Sequence, residues 1–258
     1  MNIPWCLAKI VIKELYRRKD FYVLFVLTAL ISLVMGSVSF FDDDKIVRYL
    51  KEICLLLIWI SSIVIAITTA ARQIPAEREH RTIFPLLAKP VTRGQVIVGK
   101  FLGCWLACGL TLLVFYIFFG TLSAMREHEL HLLQLLQAIF LHWVMLGVLI
   151  AMCLLGSIVF AAPSSNGTIC FVVTVGIMFL GRHLNTLALG LSEPASTLVY
   201  GIYFAIPHLE MFDVRDLVIH EADLIPWGAV FLAGMYATIY TALFLIATWT
   251  LFRRKALN

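Results

Sequence analysis

A few stretches of this chain carry residue types whose spacing could do chemistry. Gly94-x-x-x-x-Gly99-Lys100 spells most of a phosphate-binding loop. In such a loop backbone N–H groups cradle phosphates, the lysine reaches their oxygens, and a following Ser or Thr holds magnesium. Here Phe101 follows, no strand precedes, and the next helix is apolar enough to enter lipid. No nucleotide site is expected. Glu127-His128-Glu129-x-His131 offers metal-ligand types, but a zinc helix needs two His four apart. It reads as a solvated face. His142 stands alone in an apolar run and reads as a hydrogen-bonded packing residue. Asn166-Gly167-Thr168 matches a glycosylation sequon but falls in a connection expected on the cytoplasmic side.

The elements that must position these residues follow from composition. Of 258 residues, 61% are hydrophobic and 14% charged, with a mean hydropathy of +0.94. Average soluble chains are about 45–50% apolar and about 25% charged. Folding at this length hides only about three quarters of the chain's surface, so lipid must be part of the solvent. A soluble enzyme, a disulfide-stapled secreted domain and a disordered regulator are excluded. The net charge of +4 is too weak to imply nucleic acid. Five of the six cysteines lie inside apolar runs and Cys6 near the start, so all six are expected to be free packing residues.

A span needs about 20 apolar residues to cross about 30 Å of hydrocarbon. Six are expected, at about 21–40, 53–71, 101–121, 139–161, 165–180 and 227–251. The fifth is the shortest and relies on Ser164, Ser165 and Asn166 to begin its helix. The tail 1–20, the connections 72–100 and 162–167 and the tail 252–258 hold 14 Lys and Arg, against 6 in the alternate loops. The acids run oppositely, 4 against 12. By the positive-inside rule both termini are expected in the cytoplasm of a multi-pass cell-membrane protein. The first apolar run follows a twenty-residue basic tail and is too long for a cleaved signal.

Outside the spans, Ile3–Arg18 reads as an interfacial helix with Ile3, Leu7, Ile10, Val11 and Leu15 on one side. Loop 72–100 holds a charged helical stretch from Ala76 to Thr82, an apolar patch Ile83–Ala88 and the stop Lys89-Pro90-Val91. Thr92 and Gln95 then fit a capping box opening the next helix. A short polar helix followed by an apolar patch is shaped to touch another protein. Loop 181–226 is acidic and contains Thr197–Ile206, too short to span, fitting a re-entrant or interfacial segment. No Asp, Glu, Lys or Arg falls within the six expected spans. Ion-coupled carriers usually place ionisable groups there. The energy for any transport is therefore expected to enter through another subunit.

With these features the chain resembles the permease subunits of ABC-2 type exporters. The likeness runs the whole length, in the basic start, six spans, large second cytoplasmic connection, acidic last outer loop and basic end. Its local signature is Glu77-x-Glu79-x-x-Thr82-Ile83-x-x-Leu86-Leu87-x-x-Pro90-Val91-x-Arg93, then Gly99-Lys100, with Ile206-Pro207-x-Leu209-Glu210-x-Phe212 in the last outer loop. Arg81 stands where the family often has Gly, and Pro85 interrupts the apolar part. The resemblance implies an all-α integral membrane protein, a single transmembrane domain over 1–258, of ABC-2 exporter-like fold with a cytoplasmic coupling helix. It implies that Glu77, Arg78, Glu79, Arg81, Thr82, Ile83, Leu86 and Leu87 dock on a separate ABC-type ATPase. It further implies a homodimer or heterodimer with a second permease, embedded in membrane lipid. The chain itself would be no enzyme and hold no cofactor, catalytic residue or metal, ATP and magnesium being bound by the partner. The alternative is a membrane anchor or assembly factor that recruits a cytoplasmic protein through loop 72–100.

Overall fold

The computed structural model describes residues 3–17, 43–79, 92–127, 132–189, 191–219 and 223–254, with isolated positions between 22 and 30. The expected first span, 21–40, therefore lies almost wholly outside the described residues, as does the apolar patch Ile83–Ala88. All described regular structure is helical. In chain order the helices are α1 Ile3–Tyr16, α2 Asp43–Ala71, α3 Pro75–Glu79, α4 Arg93–Glu127 and α5 Leu132–Val159. They continue with α6 Pro163–Leu189, α7 Ala195–Ala205, a 3-10 turn Leu209–Phe212, α8 Arg215–Ile219 and α9 Trp227–Arg254.

Among the described residues, four helical stretches are long and apolar enough to cross a membrane: α2 with its continuation through α3, α4, α5 and α9. Helix α6 has a shorter apolar part, Pro163–Phe179, and runs on to Leu189. Local chemistry sets the ends. Thr92 Oγ1 accepts the Gln95 N–H at 3.3 Å, and Gln95 Oε1 accepts the Thr92 N–H at 2.9 Å. The expected capping box thus opens α4. Helix α5 stops at Val159, three residues short of Ala162, which Pro163 biases away from helical backbone. Pro163 then occupies the first turn of α6, where its missing N–H costs nothing.

Helix α5 is the centre of the bundle, touching α2, α4, α6 and α9, and buries a continuous run from Met145 to Ala151. Helix α9 lies at the edge, packed chiefly on α5, with Phe231, Leu232, Ile239, Leu243 and Ile246 exposed. A helix that is apolar all round belongs either in a core or in lipid; α5 and α9 illustrate the two cases.

Helix α1 docks on α4 by close approach. Gly99 faces Leu7 and the Pro4 carbonyl, and Gly103 faces Val11 and Ala8. Ala8, Val11 and Leu15 are buried, whereas Ile10 is 63% exposed. The expected apolar stripe therefore needs correction at Ile10. The buried face is the one that fits the two glycines, and Ile10 points away from them. Gly99 and Lys100 are interior residues of a helix, so the phosphate-loop spelling is not a loop.

Helices α4 and α5 are joined by a reciprocal tryptophan pair. Trp105 Nε1 donates to the Trp143 carbonyl at 2.9 Å, and Trp143 Nε1 donates to the Trp105 carbonyl at 3.2 Å. The rings stack with centroids 4.3 Å apart. Gly109 and Gly147 make room for them. In lipid a backbone or hydroxyl group without a partner is costly. The hydroxyls of Thr68, Thr111, Thr174 and Thr248 accordingly donate to carbonyls one turn back. His142 Nδ1 lies 2.7 Å from the Tyr116 hydroxyl, making it the hydrogen-bonded packing residue expected. The six cysteines are free; Cys6 is partly exposed and the rest are buried.

One end of the bundle is closed by the last long connection. The Gln137 amide grips Ile225 through both its backbone groups, at 2.9 and 3.1 Å. Leu209 and Phe212 are buried in the core. Arg215 holds Asp213 through two hydrogen bonds, 2.7 and 2.8 Å, and its guanidinium lies 4.5 Å from the Trp59 ring centre. Burial opposes ionisation of Asp213, but the hydrogen bonds and charge of Arg215 outweigh it and hold the carboxyl below its usual value.

Candidate functional site

The other end of the bundle carries the expected docking residues. Helix α2 ends at Ala71, a turn follows, and α3 begins at Pro75, a residue suited to a first helical turn. Glu77, Arg78 and Glu79 follow on α3; Arg81, Thr82, Ile83, Leu86 and Leu87 lie outside the described residues.

Glu77 is turned towards the bundle. Its Oε1 accepts Lys100 Nζ of α4 at 2.7 Å, and the same ammonium donates to Gln73 Oε1 at 3.2 Å. Gln73 in turn donates to the Thr69 carbonyl at 3.3 Å. The Lys100 side chain is 6% exposed and that of Glu77 27%. This relay fastens the α2–α3 turn to the first turns of α4. A nearly buried ammonium persists only when paired and hydrogen-bonded, so Lys100 needs both acceptors.

The remaining two residues differ. Glu79 is exposed. Arg78 is half-buried, and its Nε and Nη2 have no hydrogen-bond partner among the described residues. Both nitrogens are buried, and a buried guanidinium short of acceptors is costly. One residue into α4, Arg93 Nη1 donates to the carbonyls of Phe252 and Arg253 at 2.5 and 3.0 Å. Those carbonyls belong to the last turn of α9, where no intrahelical donor exists and the helix dipole favours a cation. The arginine cation also lies 5.4 Å from the Phe252 ring centre.

Asn166 completes this end. It is fully buried, and its Nδ2 donates to the carbonyls of Ala71 and Cys153, both at 3.1 Å. It therefore ties α6 to the end of α2 and to α5, and the sequon it heads is closed to any modifying group.

Sequence reasoning brought Glu77 forward and placed Lys100 in the family signature, but gave Lys100 no partner and assigned nothing to Gln73. The available signal was a lysine set directly before an apolar run, where an unpaired cation would be expensive. Among the described residues no group of His, Cys, Asp and Glu is arranged to hold a metal.

The sequence model of a family described as ABC-2 family transporter protein matches residues 40–257. The chain belongs to the ABC-2 transporter family. It is thus a multi-pass membrane permease, of a family whose members are typically non-catalytic membrane subunits and normally work with an ABC ATPase. A comparison with curated proteins returned no match. The match takes in α2–α9 entire, and with them the Lys100 relay of the ABC-2 permease, the Arg93 clasp and the closed opposite end.

Proposed function

We propose that this permease forms the translocation path of an ATP-driven exporter, as a homodimer or with a second permease, and that a separate ATPase docks on Glu77–Leu87. ATP and magnesium are bound by that ATPase. Both termini and the docking segment lie in the cytoplasm, as the distribution of Lys and Arg supports.

The observation that carries this reading is the Glu77–Lys100–Gln73 relay. A docking element transmits force only if it is fixed to the helices it must move. The relay fixes α3 to α4, a helix of 35 residues and about 52 Å at 1.5 Å per residue. The Arg93 clasp adds α9 to the same unit. Glu77 then serves by holding the platform, while exposed Glu79 is open to the partner.

Co-purification tests the reading. Tagged protein taken from its native membrane should bring down an ABC-type ATPase, and purified alone it should not hydrolyse ATP. Glu79→Lys with Arg78→Glu should weaken recovery of the ATPase, and Leu86→Asp should abolish it, because a buried unpaired charge is expensive. Normal ATPase recovery and substrate-stimulated hydrolysis with Leu86→Asp, at unchanged expression, would refute the docking assignment.

A further inference from the structure

Between the last turns of α2 and the first turns of α6 lies a cavity of about 680 Å³. Its walls are apolar along Val64, Ile67 and Phe171, and Arg72 stands in its lining together with the hydroxyls of Ser164 and Thr168. We propose that this cleft binds an anionic phospholipid, with the phosphate at Arg72 and one acyl chain along the apolar walls.

The placement of the charge carries the assignment. Arg72 is the first charged residue after the uncharged run 53–71, so it stands where hydrocarbon gives way to headgroups. It is exposed, and its side chain has no partner among the described residues. Its planar fork matches phosphate oxygens bidentately. No Asp or Glu is among the residues lining the cleft, so nothing there would receive the ammonium of a zwitterionic headgroup. Ser164 and Thr168, one turn apart on α6, add hydroxyl donors beside the phosphate. From Ser164 to Phe171 the helix rises about 10 Å, which gives the chain a wall to lie along. A free phosphate would leave that wall bare.

The cleft is built into the fold. Asn166 pins the first turn of α6 to the Ala71 carbonyl at 3.1 Å, which sets the distance between the two helix ends. Gly167 adds no side chain to the lining, and a Cβ there would meet only Ala71 Cβ, at 3.8 Å. The site is independent of ATPase docking and would exist in the permease alone.

Thermal unfolding of the full chain in detergent, titrated with phosphatidylglycerol or phosphatidylcholine of the same chain length, tests the proposal. Phosphatidylglycerol should raise Tm saturably and phosphatidylcholine much less. Arg72→Gln should weaken phosphatidylglycerol binding about tenfold or more, the loss of a hydrogen-bonded charge pair. Arg254→Gln, an exposed arginine at the same end of the bundle, should not. Thr168→Trp, which fills the cleft, should weaken binding with Arg72 intact, and it carries the test should Arg72→Gln fail to fold. Equal shifts with both lipids would overturn the proposal, as would a phosphatidylglycerol shift untouched by Arg72→Gln and Thr168→Trp. Inorganic phosphate reproducing the shift would overturn it too, in favour of a simple anion site.

Discussion

Removing either partner of the Glu77–Lys100 pair should destabilise the permease, but by unequal amounts. Glu77→Ala strands an ammonium on a side chain that is 6% exposed. The acceptor then left to it is Gln73 Oε1, at 3.2 Å. An uncompensated charge of that kind costs about 3–5 kcal/mol. Lys100→Met keeps the length of the stem and strands a carboxylate instead, but one that is 27% exposed. Glu77 Oε2 is itself buried, but the partly exposed side chain near the end of α3 can turn to water, so the loss falls to about 1–2 kcal/mol. The double variant leaves no stranded charge and should be no less stable than Lys100→Met. Unfolding of the purified permease in a denaturant series, without any partner, measures all three and isolates the pair from docking. The reasoning fails if Lys100→Met is as harmful as Glu77→Ala. It also fails if the two losses simply add, since residues in direct contact should show a coupling term of about 0.5–3 kcal/mol.

Three further outcomes follow from packing and from charge. A Cβ at Gly109 would come within 2.8 Å of Trp143 Cδ1, on an indole already fixed by stacking and by its bond to the Trp105 carbonyl; Gly109→Ala should therefore lose about 1–3 kcal/mol to overpacking and alter tryptophan fluorescence. Gly176→Ala, where nothing lies within 4 Å, should instead gain up to about 1 kcal/mol from helix propensity. At the opposite end, the depressed Asp213 pKa means its pairing with Arg215 contributes fully above the ordinary carboxylate value of 3.8 and is lost as pH falls through the lower folded value. Hydrogen-exchange protection of 207–219 should hold from neutral pH to about 5 and step down only below about 4, with the step absent in Asp213→Asn.

Much of this permease is legible along the chain because the forces concerned act over short stretches of it. Uncharged runs of about 20 residues have only one stable solvent. The Thr92–Gln95 box reads from four consecutive residues, and the start of α6 from Ser164, Ser165 and Asn166, one residue beyond the observed Pro163. The resemblance to ABC-2 permeases also lies in linear motifs, and the family match over 40–257 agrees with it. What only tertiary structure decided are the ties that make the α3 end of the bundle one unit. Lys100 meets Glu77 across 23 residues, Asn166 meets Ala71 across 95, and Arg93 meets Phe252 across 159. Nothing in the local pattern predicts these. A soluble helix advertises its buried face by a contrast between polar and apolar sides, and a helix such as α4 or α9 is apolar all round. With that contrast gone, the neighbours are chosen by shape, as at Gly99, Gly103 and Gly109, and by the few polar groups that must find partners in a medium that supplies none.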